Sequence, residues 1–149
     1  MNNVAEENSI AAPLWRRFAA LVYDLFPLIA LWMITVLLCL LALGGHYDPQ
    51  HPHWASRLGV QLALLAVTAA YFVISWTRIG ATIGMRAWKL KLQRDDGGKL
   101  GVAQALARFF LALLSFAIIG IGFWMALFDP RKRTLHDRLC RTSMVRIDR

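Results

Sequence analysis

Two long uncharged segments constrain this chain more than any other feature of its sequence. Residues 25–43 are nineteen residues without a charged side chain, and residues 58–76 are nineteen more, with Gln61 as the strongly polar exception. An α-helix rises about 1.5 Å per residue, so each segment spans roughly 28 Å, close to the hydrocarbon thickness of a bilayer. The content of 58% hydrophobic residues also exceeds that of a usual soluble domain. The pattern predicts an integral membrane protein.

A cleaved signal peptide is the alternative interpretation of the first segment. That segment is too long for the apolar part of a signal peptide, and Glu6 and Glu7 stand where basic residues are expected. We therefore expect residues 1–12 to be an N-terminal cytoplasmic tail.

Lysine and arginine are distributed unevenly around the apolar segments, which sets the expected orientation. Residues 44–57 contain Arg57 alone, whereas residues 77–101 and the C-terminal tail are rich in both residue types. The sequence predicts a multi-pass protein of the bacterial cytoplasmic (inner) membrane with both termini in the cytoplasm. The net charge of +8 flanks apolar segments, so orientation explains it better than a nucleic-acid partner does.

The third apolar segment, residues 102–128, is too short for two full spans. A single crossing would place the basic tail outside, against the charge rule. The glycines of Ile119-Gly120-Ile121-Gly122 favour a broken segment that enters and returns, as a re-entrant loop or a hairpin. A plain third span is the alternative. The expected fold class is an all-α membrane protein with two full transmembrane helices and this third broken segment.

A short cytoplasmic β element is expected between the second and third apolar segments. Trp88, Leu90 and Leu92 alternate with polar residues in "WKLKLQRDDGGKL", which is the periodicity of a strand, and the Asp-Asp-Gly-Gly sequence predicts a turn. We expect this strand to pair with residues 143–147.

Asp24 is the ionisable residue of the first helix that calls for an explanation. It lies seven residues after Arg17, on the same helical face, and three residues before Pro27. Pro27 removes the amide that would bond the carbonyl of Tyr23, so a free carbonyl and a carboxylate form a possible site for a proton or a hard cation. The alternative is a salt bridge from Asp24 to a basic residue at the membrane surface.

A polar stripe on the third apolar segment offers a partner for this acid. Gln104, Arg108 and Ser115 are spaced by four and seven residues, hence on one helical face. Arg108 is the expected counter-charge for Asp24 if the two helices pack together. The alternative is an interfacial helix with an arginine that reaches the headgroups.

The C-terminal "ALFDPRKRTLHDRLCRT" adds further charged candidates. His136 and Asp137 are neighbours, but adjacent helical residues point apart, so acid–base chemistry is disfavoured. Anchoring of the tail through Asp137 to a nearby arginine is preferred. In the loop "GGHYDPQHPHW", His46, His51 and His53 are weak candidates for a metal site, because no helical H-x-x-x-H spacing is present. No catalytic motif is found, so we expect neither an enzyme nor a cofactor.

Three stretches, in order, carry a resemblance to a known family. "RRFAALVYD" contains Arg17 and Asp24, "GATIGMRAWKLKLQRDDGG" follows, and "ALFDPRKRTLHDRLCRT" contains Asp137 and, as the alternative, Asp129. Together they resemble the RDD family of membrane proteins, named for one arginine and two aspartates. The resemblance implies one transmembrane domain over residues 13–145. Where the family has a lysine after G-x-T-x-G, this chain has Met85, so a role for that lysine does not carry over.

The resemblance also implies a function, transport of an unidentified ligand, with cation/proton antiport as one version. In this hypothesis Asp24 holds a proton or monovalent cation, Arg17 and Arg108 balance its charge, and Asp137 is a further candidate. Asp129, Tyr23 and Gln104 are secondary candidates. Three short helices do not enclose a pathway, so a homo-oligomer in the lipid bilayer is expected. The alternative is a non-catalytic membrane scaffold whose basic cytoplasmic face docks a protein or anionic lipid.

Overall fold

The computed structural model describes residues 12–44, 53–117 and 135–147 of the chain. Its helices and strands are, in order, α1 (Leu14–Ala42), α2 (Trp54–Ile74) with a π-helical extension (Ser75–Ile79), α3 (Ile83–Ala87), β1 (Leu90–Arg94), α4 (Val102–Ala117), α5 (Leu135–Leu139) and β2 (Thr142–Arg146).

Among the described residues, two helices are long and apolar enough to cross a membrane, as the sequence predicts. They are α1 and the continuous helix Trp54–Ile79. Large apolar side chains such as Phe26, Met33 and Leu62 are exposed along both helices. A soluble protein would bury such a surface, whereas lipid solvates it. α1 begins well before the uncharged segment, because nothing between Pro13 and Pro27 interrupts helical geometry, and it continues through Pro27.

The third apolar segment begins as one unbroken helix, α4. Its buried face carries Ala105, Arg108 and Phe109, while Leu106 and Phe110 are exposed on the other side. The expected polar stripe is therefore the face that packs inward. The predicted break at residues 119–122 lies outside the described residues, so the re-entrant interpretation is not confirmed.

A two-stranded antiparallel sheet joins the middle of the chain to its C-terminal part. β1 pairs with β2 in the register Leu90↔Arg146 and Leu92↔Met144, which confirms the predicted strand and its partner. Leu90 and Leu92 are buried under the sheet, as their alternation requires. Gly97 takes a positive φ of 78° in the predicted turn.

The apolar core lies at the sheet end of the molecule. Trp76, Met85, Leu92 and Phe109 belong to one buried cluster there. Farther along, α1 and α2 are joined by a hydrogen bond of 2.8 Å from the Trp32 Nε1 to the Thr68 Oγ1. α2 packs against both α1 and α4, and α3 packs against α1.

Candidate functional site

Asp24 is buried, with 1% of its surface exposed, and its carboxylate accepts hydrogen bonds from three uncharged donors. The hydroxyl of Tyr71 and the backbone N–H of Gly84 each donate to Oδ1 over 2.7 Å. The hydroxyl of Thr82 donates to Oδ2 over 2.6 Å. Within the described residues, no basic side chain forms a salt bridge with Asp24. The acid is therefore held by neutral dipoles.

The connection between α2 and α3 places two of these donors. Gly80 has a φ of 78° and ends the π-helical extension, a conformation that glycine adopts without steric strain. Thr82 then caps the N-terminus of α3, and its Oγ1 accepts a hydrogen bond from the N–H of Met85. The same hydroxyl donates a hydrogen bond to Oδ2 of Asp24. One threonine thus fixes both the short helix and the buried acid.

Gly84 lets α3 approach α1 closely. A Cβ atom at this position would lie 2.0 Å from the carbonyl oxygen of Ala20 and 2.9 Å from Cγ of Asp24. Both contacts are shorter than any side chain tolerates, and the first involves rigid backbone. Glycine is therefore required for its N–H to reach the carboxylate.

A second buried acid, Asp137 of α5, binds both arginines that the sequence singles out. Its Oδ2 lies 2.7 Å from Nη1 of Arg17, and its Oδ1 contacts Nη1 of Arg108. Asp137 is 0% exposed, and the two arginine side chains are 6% and 3% exposed. We call Arg17, Asp137 and Arg108 the charge cluster. It ties α1, α4 and α5 together at the sheet end.

Further hydrogen bonds orient the charge cluster. Arg17 donates through Nε to the carbonyl of Ala12 over 3.1 Å. Arg108 donates to the hydroxyl of Thr142, the first residue of β2. Its guanidinium also lies 5.4 Å from the ring centroid of Trp76, which is a cation–π contact. Both guanidinium groups are therefore fixed in position.

A cavity of about 570 Å³ runs between α1, α2 and α4. We call it the central cavity; along α1 its lining extends from Arg17 to Trp32, a rise of roughly 22 Å at helical pitch. Leu64, Phe72 and Leu113 are among its apolar wall residues. Its volume falls in the range of small-molecule sites.

Charged and polar residues line the sheet end of the central cavity. Asp24 and Arg108 line this end, together with Arg17, Thr82 and Met85. Asp24 and the two arginines of the charge cluster therefore border the same cavity, although they bind different partners.

The ion pairs in the structure differ from the ones that the sequence suggests. Arg108 is the expected counter-charge for Asp24, but it binds Asp137, because α5 packs against α4 and places Asp137 beside this arginine. Arg17 is also expected to balance the charge of Asp24, but it likewise binds Asp137. The preferred anchoring of the tail through Asp137 to an arginine is confirmed.

Two of the secondary candidates, Tyr23 and Gln104, make contacts that stabilise the packing of the protein. Tyr23 is half exposed and packs edge-on against Trp88, with centroids 6.0 Å apart. Gln104 donates through Nε2 to the carbonyl of Cys140 and so helps to hold α5 against α4. Burial raises the pKa of the Cys140 thiol, and Arg108 partly offsets this effect.

Several histidine and acid candidates fall outside this site. His53 is exposed at the start of α2. His46, His51 and Asp129 lie outside the described residues. Over residues 12–44, 53–117 and 135–147, no group of three His, Cys, Asp or Glu side chains is placed to hold a metal ion.

Sequence reasoning missed Tyr71, Thr82 and Gly84 as partners of Asp24. Thr82 and Gly84 stand in the G-x-T-x-G stretch, whose threonine and second glycine become a carboxylate-binding pair here. Tyr71 places a phenolic hydroxyl in an apolar helix, which indicates a polar partner inside the protein.

Comparison with known proteins identifies a family and one similar protein. Residues 11–141 match the model of the RDD family. A Bacillus subtilis (strain 168) protein, "Uncharacterized protein YxaI", is 30% identical over 89 residues, which cover 59% of this chain and 58% of that protein. The chain thus matches little more than half the length of this relative. No solved structure matches.

Proposed function

The chain belongs to the RDD family, which is membrane-associated, and on this basis we propose that it is a small, non-enzymatic membrane transport protein coupled to a proton or monovalent cation at Asp24. Family membership and the two long apolar helices together indicate a membrane protein. The observation that carries the proposal is the state of Asp24: buried at the wall of a cavity and bound by neutral donors.

Neutral donors suit an acid that exchanges its bound ion. A carboxylate has about four lone-pair positions, and the three donors around Asp24 use three of them. The remaining position, on Oδ2, accepts a proton or a cation without the loss of an arginine contact. Asp137 is different, because release of either arginine would leave an unpaired buried charge.

The proposal includes a homo-oligomer in the cytoplasmic membrane. α1, α2 and α4 alone do not surround a closed pathway, so copies of the chain would complete it. The exposed basic residues near the sheet belong on the cytoplasmic side, by the positive-inside rule. Labelling of a single cysteine at Asp96→Cys, in a chain without native cysteines, tests this orientation.

Proteoliposomes with a trapped pH-sensitive dye test the transport itself. An imposed gradient of Na⁺, K⁺ or an organic ammonium cation should drive proton movement with the native chain and with Asp96→Asn, a matched change in an exposed turn. Asp24→Asn should lose the flux and still fold, because the amide oxygen accepts from Tyr71 and Gly84 and the amide N–H₂ faces the Thr82 hydroxyl. Equal flux from Asp24→Asn and the native chain would exclude this role.

A membrane scaffold is the second candidate, and the exposed charges favour it. The exposed basic side chains of α3, β1, α5 and the nearby turns are Arg86, Lys89, Lys91, Arg94, Lys99, Arg138 and Arg141. Such a surface beside apolar helices suits anionic lipid headgroups or an acidic protein. Salt-sensitive vesicle or protein binding that is unchanged by Asp24→Asn, without any flux, would favour the scaffold.

A further inference from the structure

The walls of the central cavity are mainly apolar and include four aromatic side chains. Trp32, Phe72, Trp76 and Phe109 all line it. Phe72 lies between the other two rings at the sheet end, with centroid distances of 5.3 Å to Trp76 and 6.1 Å to Phe109. Aromatic faces attract cations, and more strongly where water is excluded.

The charges at the end of the cavity differ in their capacity for a ligand. The arginines of the charge cluster are engaged by Asp137. Arg108 Nε has no hydrogen-bond partner among the described residues, but the atom itself is buried. Asp24 has neutral partners and one unused acceptor position. Of these groups, Asp24 is the one with room for an opposite charge.

We propose that the central cavity binds a lipophilic monovalent cation, an organic ammonium or phosphonium type of molecule, in exchange for a proton on Asp24. Binding leaves the ionised carboxylate beside the cation and releases one proton to solvent, so charge and protons balance. This inference rests on the proposed function, and it names the class of substrate that the transport site takes.

The groups around Asp24 define the expected pH dependence. Tyr71 approaches from α2, Arg17 lies two turns earlier on α1, Arg108 faces the cavity from α4, and Asp137 separates the two arginines. Asp137 offsets one of the two arginine charges, and a cation has to overcome the other. Protons compete with the cation for Asp24, so binding should weaken as the pH falls.

Two probes of the same size and shape distinguish the effect of ligand charge on binding from the effect of ligand hydrophobicity. Tetraphenylphosphonium is a cation and tetraphenylborate is its anionic counterpart. With the purified full-length protein in detergent, equilibrium dialysis should show saturable binding of tetraphenylphosphonium, accompanied by release of protons, at most one per bound cation, in unbuffered solution. Asp24→Asn should weaken binding about tenfold or more, whereas Asp96→Asn should not change it.

Met85 provides an independent test. It is buried and lines the cavity at the end that contains Asp24. Met85→Lys introduces an ammonium group into this space and should abolish tetraphenylphosphonium binding, while Met85→Leu keeps the wall apolar and should retain it. Gel filtration and far-UV circular dichroism check that each variant is folded.

The outcomes distinguish the two proposals. Tetraphenylphosphonium binding that is absent, or unchanged by Asp24→Asn, overturns the substrate class, even if cation-driven proton flux persists. Stronger binding of tetraphenylborate overturns it as well, because the arginines would then dominate the site. Cation binding with proton release, in a protein without any flux, supports the binding site and rejects transport.

Discussion

Asp137 is the residue whose substitution tests the charge cluster most directly. Asp137→Asn keeps the shape of the side chain and removes the charge that Arg17 and Arg108 share. Because all three residues are almost completely buried, solvent does not screen the loss. Breaking a buried ion pair on one side costs about 3–5 kcal/mol. The unfolding equilibrium constant should therefore rise by about two to three and a half powers of ten.

Unfolding in mixed detergent micelles, followed by tryptophan fluorescence, measures this loss. Asp96→Asn is the matched control, because Asp96 forms a 3.1 Å salt bridge with Arg94 in which the side chains are 58% and 48% exposed. An exposed pair contributes about 0–1 kcal/mol, so this control should stay within about 1 kcal/mol of the native protein.

A third variant identifies the origin of the loss. If unpaired charge is the cause, the combined change Arg17→Met, Arg108→Met and Asp137→Leu should recover most of the stability lost in Asp137→Asn. Similar stabilities of Asp137→Asn and Asp96→Asn would refute the reasoning. A triple variant less stable than Asp137→Asn would instead assign the loss to packing and geometry.

Three further predictions concern the contacts around the two acids. Gly84→Ala should destabilise the protein by more than about 1 kcal/mol in the same unfolding assay, since its Cβ would meet the carbonyl of Ala20 at 2.0 Å. Tyr71→Phe should destabilise the protein by about 0.5–3 kcal/mol, the range for hydrogen bonds to neutral and charged groups, and a negligible loss would show that Asp24 does not accept this bond. In a Cys39→Ser background, alkylation of Cys140 should be slow and should reach half its maximal rate at a higher pH than in the unfolded chain, because burial raises the pKa of the thiol.

The spans and the sheet could be predicted from the sequence because they depend on local patterns. Uncharged segments of membrane length and the alternation around Leu90 and Leu92 are visible without knowledge of partners. The pairing of Asp137 with a nearby arginine could also be predicted, whereas its complete burial could not.

The assignment of partners could not be predicted in the same way. A sequence shows that Arg108 needs an anion, but Asp24 and Asp137 satisfy this need equally until the position of α5 is known. Tyr71 and Gly84 contact Asp24 across 47 and 60 residues, and Gly84 follows a π-helical extension that no sequence periodicity predicts. Contacts of this kind are properties of tertiary packing.

Arg17 and Asp137 are 120 residues apart in the chain. At a translation rate of about 5–20 residues per second, Arg17 leaves the ribosome roughly 6–24 s before its partner. During this interval the guanidinium lacks its contact with Asp137, so its burial without an unpaired charge has to wait until α5 has been synthesised. A nascent chain that stops short of Asp137 lacks the carboxylate that Arg17 and Arg108 contact. The final packing of α1 therefore requires that synthesis of the chain has passed α5.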